Sequence, residues 1–249
     1  GFAGLTNKKL GSRVQCICVA YEGMERFFPA DKIVMTGNPI RSIIVPATPE
    51  MKEAGIKEYG LDPSRKHIFI VGGSLGSARF NQCMKEWISD GCPGLDGVDV
   101  LWQCGKHYRP DIDRFMDEQR TKNPDVARHI HHSDFIGRME LAYAAADVVI
   151  SRSGASSVSE LCAARKAVIF IPSPNVAEDH QTHNAMALVK KDAAVVVKDA
   201  EAMEKMIPTA LELLKDPARI ATLEENAGKM ALPDAAGKIA EEVYKLIKG

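Results

Sequence analysis

The chain alternates short apolar runs with longer segments in which apolar residues recur every three or four positions. The runs cover residues 14–19, 67–71, 98–103, 130–135, 148–151, 168–172 and 194–197. They are rich in β-branched residues. From His67 onward most are apolar on both faces, the pattern of a parallel strand covered by helices above and below. The helical segments cover residues 49–59, 78–89, 110–121, 139–146, 157–164, 179–191, 200–214, 217–230 and 234–247. Strand and helix in succession predict an α/β fold with a Rossmann-like, doubly wound parallel sheet. That domain is expected over residues 37–233, with a last helix in 234–249. Residues 1–36 hold one or two short strands and too little helix to cover them, so they are expected to be the remnant of a larger unit. Thr36-Gly37-Asn38-Pro39 reads as the linker.

Composition changes this picture little. The residues are 45% hydrophobic and 26% charged, as in ordinary globular domains. Lys plus Arg number 32 against 33 Asp plus Glu, which leaves no basic excess to point to nucleic acid. No apolar run approaches the roughly 20 residues of a membrane-crossing helix. The six cysteines lack the paired spacing of a zinc site and read as reduced thiols.

Three strand-to-helix loops carry unusual chemistry, and in an open parallel sheet such loops converge where ligands bind. The first is Val71-Gly72-Gly73-Ser74-Leu75-Gly76-Ser77. Its glycines let backbone approach a ligand, and the following helix start favours phosphate. It is not a Walker A sequence, and a tight turn that binds nothing is the competing reading. The second is Ser151-Arg152-Ser153-Gly154-Ala155-Ser156-Ser157-Val158-Ser159-Glu160. Ser157 to Glu160 has the form of a capping box, in which Glu160 caps its own helix. Alternatively, Glu160 accepts from the paired hydroxyls of a ribose. The third runs from Pro172 through Asp179, His180 and Gln181 to Asn184, polar residues suited to sugar hydroxyls. A metal held by His180 and His183 lacks a third strong ligand at the usual spacing. His129, His131 and His132 fit alternation along a strand end better than a metal. Arg41 either grips phosphate or makes an interdomain ion pair.

Five motifs occur in order: Ala3-Gly4-Leu5-Thr6-Asn7-Lys8; Gly37-Asn38-Pro39-Ile40-Arg41; Gly72-Gly73-Ser74-Leu75-Gly76; Ser151-Arg152-Ser153-Gly154-Ala155 with Glu160; and Asp179-His180-Gln181 with Asn184-Ala185. Together they resemble the bacterial peptidoglycan N-acetylglucosaminyltransferases of glycosyltransferase family 28, over essentially the whole chain. The resemblance implies a GT-B fold of two Rossmann-like halves, with this chain carrying the donor half. It implies transfer of N-acetylglucosamine from UDP-N-acetylglucosamine to lipid I, giving lipid II with inversion, and neither cofactor nor metal. It also implies a cytoplasmic enzyme, peripheral on the inner face of the bacterial membrane.

By position, the resemblance makes Arg41 and Ser74 diphosphate or nucleotide contacts and Asn81 an important polar residue of the glycine-loop helix. The main chain of Phe135 and Ile136 would read the uracil edge. Arg152 matches the arginine before Ser-Gly, and Ser156 and Ser157 the helix start facing the diphosphate. Glu160 would hold the ribose diol, and His180 and Gln181 the sugar. His180 departs from members with two glutamines there. The family's glycine-rich His loop, a source of the general base, precedes the matched region. Residues 1–36 would then be a stub of the acceptor domain, the last helix would pack on that domain, and this portion alone would bind donor without transfer. The alternatives are another UDP-sugar-dependent GT-B enzyme, a UDP-sugar epimerase, or a non-catalytic nucleotide-sugar-binding module.

Overall fold

The computed structural model describes residues 3–176 and 179–248. Ala177 and Glu178 of the third loop lie outside the described residues.

The chain opens with α1 (Leu5–Gly11), β1 (Ile17–Val19) and β2 (Ile33–Met35). The two strands pair in parallel, Ile17 opposite Ile33, over a small cluster of Ala3, Val19, Met24 and Phe28. The strand expected from residue 14 is shorter, and α1 carries no sequence signal of its own, because seven residues are too few to show a helical period.

The main domain follows the alternating pattern: α2 (Pro49–Tyr59), β3 (Lys66–Val71), α3 (Ala78–Ser89), β4 (Val98–Gln103), α4 (Arg109–Lys122), α5 (Pro124–Ala127), β5 (Ile130–Ser133), α6 (Met139–Ala145), β6 (Val148–Ser151), α7 (Ala155–Ala163), β7 (Val168–Phe170), α8 (His180–Val189) and β8 (Val195–Val196), then α9 (Ala202–Leu214), α10 (Pro217–Lys229) and α11 (Ala235–Lys248). Among the described residues the sheet has the order β5-β4-β3-β6-β7-β8, with every pairing parallel. Both faces are covered. Ile68, Ile70, Val100, Trp102 and Ile150 pack in one core with α3 and α9 residues such as Phe80 and Met206. The intervening Phe69, Val71, Leu101 and Val149 pack in the other with α7 and α8 residues such as Leu161 and Leu188. Successive residues feeding opposite cores explain why these strands are apolar throughout.

Local chemistry sets the helix ends. Thr48 caps α2 by accepting from the Met51 amide at 3.3 Å, and Gly60 ends the helix with φ +66°. Gly55, midway along α2, lets that helix approach α6. A Cβ there would meet the Leu141 carbonyl oxygen, with the Ala145 Cβ 3.1 Å away. An ordinary helix glycine gains up to ~1 kcal/mol on becoming alanine. Here a backbone obstruction outweighs that gain. Gly55→Val is expected to cost about 2 kcal/mol, read as a lower urea midpoint with an unchanged slope.

No described helix is long and apolar enough to cross a membrane. α11 closes against the start of the chain. Leu232 and Ala235 face Gly37, and the Cys16 Sγ lies 3.9 Å from Glu242 Oε2. Val243, Tyr244, Leu246 and Ile247 on α11 are exposed.

Candidate nucleotide-sugar site

The strand order reverses between β3 and β6, so the loops leaving their carboxyl ends diverge and open a crevice. A cleft of about 560 Å³ sits there, lined among others by Gly73, Gly76, Arg152, Gly154, Ser173 and Gln181. Its walls take in the three loops singled out in the sequence, together with the start of α3, Tyr108 and Asp199. A depression of about 430 Å³ around Trp87, Gly97 and Leu211 lies at the opposite, amino edge of β4 and offers few convergent polar groups.

The glycine loop is held by its neighbours. Gly76 has φ +78°, and a Cβ on it would strike the Cys104 carbonyl after β4. Gly105 has φ +93° and is equally close to the Leu75 carbonyl. The two loops pack backbone to backbone, which only glycine at both positions allows. Ser77 then caps α3, its Oγ accepting from the Phe80 amide at 3.3 Å. Ser74 is exposed on the loop beside the cleft-lining Gly73.

The second loop begins its helix two residues earlier than expected. α7 starts at Ala155 with Gly154 as N-cap, and no side chain caps it. The predicted capping box is therefore absent. Ser157 stands in the first turn and Glu160 in the second, too far along to reach the cap. The first-turn amides, near exposed Ser156 and cleft-lining Ser157, are left for an anion.

Arg152 braces the cleft. Its Nη1 donates to the Ile171 carbonyl at 2.8 Å and to Asp199 Oδ1 at 2.6 Å, and its Nη2 donates to Ser77 Oγ at 3.0 Å. Its guanidinium lies over the Phe80 ring at 4.6 Å. One side chain thus joins the ends of β6, β7 and β8 to the cap of α3. The third loop is tied in similarly. Ser153 Oγ donates to the Gln181 carbonyl at 2.9 Å, and the Ser173 amide donates to Gln181 Oε1 at 3.0 Å. Gln181 lines the cleft, while His180 beside it is half-buried and does not.

A second group lies outside this cleft. Arg41 Nη2 donates to Glu160 Oε1 at 3.0 Å, and Nε adds a 3.2 Å bond to the same oxygen. The Tyr143 hydroxyl donates to Glu160 Oε2 at 3.2 Å. Burial, and then the Glu160 carboxylate, push the Tyr143 phenol well above its ordinary range, so it stays a donor. Two residues expected to touch ligand separately thus touch each other. Their ion pair is half-solvated, with Arg41 47% and Glu160 12% exposed, so a ligand can exchange into it at small cost.

Two other expectations change. Asn81 is buried, its Nδ2 donating to the Cys104 carbonyl at 2.9 Å and its Oδ1 accepting from Trp102 Nε1 at 3.0 Å. It supports the glycine loops from beneath rather than facing a ligand. The run 130–135 stops pairing at Ser133, whose Oγ donates to the Phe135 carbonyl at 2.9 Å. Phe135 is exposed, and Ile136 is buried with Ile44 and Leu161, so neither side chain lines the cleft. The histidines of β5 and its approach split between two carboxylates, His129 and His131 towards Asp99 and His132 towards Asp113. Arg79, Tyr143 and Asp199 were missed in the sequence. Asp199 could have been suspected as a charge just after the last strand, on the same sheet edge as the three loops.

The family model for the glycosyltransferase family 28 C-terminal domain matches residues 67–239. The chain belongs to glycosyltransferase family 28. Two curated relatives carry the name UDP-N-acetylglucosamine–N-acetylmuramyl-(pentapeptide) pyrophosphoryl-undecaprenol N-acetylglucosamine transferase. The one from Bacteroides thetaiotaomicron is 46% identical over 245 residues, 98% of this chain and 64% of its own length. The one from Bacteroides fragilis is 48% identical over 245 residues, 98% of this chain and 63% of its own. This family 28 chain thus spans a little under two thirds of these relatives. Among solved structures, MurG of Acinetobacter baumannii superposes with a TM-score of 0.71 at 25% identity, covering 98% of this chain and 64% of that one. The match includes the three loops, so the family 28 domain and the crevice at the β3–β6 reversal coincide.

Proposed function

We propose that this chain binds UDP-N-acetylglucosamine as the donor half of a GT-B glycosyltransferase, and that the whole protein transfers its sugar to lipid I, giving lipid II. The observation that carries the donor reading is the uncapped start of α7, which opens on a cleft at the sheet's reversal point. The diphosphate would lie on the α7 amides and the glycine loop, with Arg152 fixing both walls. Glu160 would take the ribose diol in place of Arg41, with the Phe135–Ile136 main chain at the uracil edge. Gln181 and His180 would meet the sugar. Residues 1–36 then belong to the acceptor domain, and α11 turns its exposed apolar side towards it.

The reaction is an inverting displacement. The acceptor hydroxyl, losing its proton to a base that we assign to no described residue, attacks the anomeric carbon. The bond from that carbon to the β-phosphate oxygen breaks, and UDP leaves with the electron pair. Helix amides aimed at the leaving group stabilise its new charge, each such donor being worth about 3 kcal/mol in comparable sites. This arrangement assigns the role to main chain and arginine, without a metal or other cofactor. The acceptor's lipid anchor places the whole enzyme on the inner face of the membrane, as a peripheral protein.

Titration calorimetry tests the donor reading. UDP is expected to bind with EDTA present, and UDP-N-acetylglucosamine to compete better than UDP-glucose or UDP-galactose. Absence of UDP binding would overturn the assignment. Binding that requires magnesium would overturn the metal-free part alone.

A further inference from the structure

Two arginines border the cleft, and they differ in how far they are committed. Arg152 is 12% exposed, makes three hydrogen bonds of 2.6 to 3.0 Å and stacks on Phe80. Drawing it towards a ligand would undo contacts to three other loops. Arg79, in the first turn of α3, also lines the cleft and is 35% exposed. Its Nε donates to Asp199 Oδ2 at 3.3 Å and its Nη1 to Gln82 Oε1 at 3.4 Å, both near the long limit for such bonds. Among the described residues its Nη2 has no acceptor, although a guanidinium carries five N–H donors in a planar fork suited to phosphate.

Asp199 sits between the two guanidinium groups. Its short bond is to Arg152, so it keeps a partner if Arg79 leaves. The trio carries one net positive charge beside the uncapped α7 start. An arriving diphosphate gives Arg79 a closer and more highly charged acceptor than either of its present ones.

We propose that Arg79 is the guanidinium that grips the diphosphate of the ligand, and that Asp199 is its resting counter-ion. This rests on the nucleotide-sugar reading above. Arg152 is then a positioning residue: it shapes the cleft and holds Asp199 where Arg79 can return to it. Arg79 exchanges Asp199 for phosphate oxygens on binding, and its released carboxylate stays neutralised by Arg152.

The test is titration of wild type, Arg79→Ala and Arg79→Lys with UDP, and with uridine followed by ligand-observed NMR. Melting temperatures are recorded alongside. Arg79→Ala is expected to bind UDP about tenfold more weakly, a loss that shrinks at raised salt. Its uridine binding and melting temperature stay as in wild type. Arg79→Lys recovers part of the loss, because it keeps the charge but not the fork. Unchanged UDP affinity in Arg79→Ala would overturn the proposal. So would an equal loss for UDP and uridine, or a loss matched by a lower melting temperature, since either marks Arg79 as a brace. If wild type itself fails to bind UDP, the nucleotide-sugar reading falls, an outcome distinct from these.

Discussion

Glu160→Ala is expected to lower UDP affinity about a hundredfold while leaving the fold intact. Two hydroxyls of a ribose donating to one carboxylate are worth about 1.5 kcal/mol each as charge-assisted bonds, and the sum corresponds to that factor. The free protein already uses the carboxylate, so the net effect depends on what binding displaces. Arg41 is already half-solvated and returns to water cheaply. Tyr143 is buried and can keep its bond to Oε2 while Oε1 turns to the ribose. The substitution itself strands the Tyr143 hydroxyl, at a stability cost of about 1 kcal/mol. Glu160→Ala with Tyr143→Phe removes that stranded group and restores most of the stability without restoring UDP binding. Had Glu160 been a helix cap, the single substitution would weaken the start of α7 and leave the affinity nearly unchanged. Calorimetry with UDP, paired with urea unfolding of the three proteins, separates the two. Retention of wild-type UDP affinity in Glu160→Ala would remove the ribose role.

Asp99→Asn is expected to destabilise the domain by about 3 kcal/mol, the scale for breaking one partner of a buried pair. Asp99 lies on β4 at the edge opposite the cleft and is 1% exposed. Its Oδ1 faces Arg65 Nε at 2.7 Å and accepts from His129 Nδ1 at 2.8 Å, and its Oδ2 accepts from the Asp62 amide at 2.8 Å. Asparagine keeps the shape but replaces one acceptor oxygen with a donor. Arg65, 18% exposed, then loses the carboxylate it pairs with.

The pH dependence follows from the same contacts. Burial acts to raise the Asp99 carboxyl, but the neighbouring His131 imidazole, 3.7 Å from Oδ2, and hydrogen bonds from the Asp62 amide and His129 outweigh it and hold the carboxyl well below the usual range. A group depressed in the folded state stabilises above its unfolded value, about 4, and loses that contribution as pH falls below it. Urea midpoints of wild type and Asp99→Asn should therefore differ most near neutrality and converge in acid. A gap that stays constant from pH 7 to pH 3 would count against the carboxylate as its source.

The elements of the main domain were legible because each carries its own signal. Residues 49–59 and 78–89 were bounded correctly, since Thr48-Pro49 with Gly60 and Ser77 after Gly76 mark their ends chemically. Boundaries failed where a tertiary contact intervened. Ser133 turns the chain after β5 by bonding to the Phe135 carbonyl, although apolar Phe135 looks like a strand residue. α7 starts early because Gly154, three residues past the end of β6, takes the N-cap position that Ser157 would have filled. A capping motif states only that a helix can begin there.

The sequence by itself determined the doubly wound sheet, because strands buried on both faces must be apolar throughout and helices must cover them. It also determined which loops are rich in glycine, hydroxyls and charge, and their order made the family recognisable. Tertiary structure alone decided how those side chains are used. Arg41 and Glu160 are 119 residues apart, and Arg152 and Asp199 are 47 apart. Local periodicity holds no information about such pairs. Arg152 and Asp199 meet because the strand order brings the ends of β6, β7 and β8 to one edge, and because a buried guanidinium or carboxylate must find a partner there, while Arg41 reaches Glu160 from the segment after β2. That requirement made Arg152 a brace, left Arg79 half-buried and loosely paired with Asp199, and placed Glu160 against Arg41 and Tyr143 instead of over its own helix.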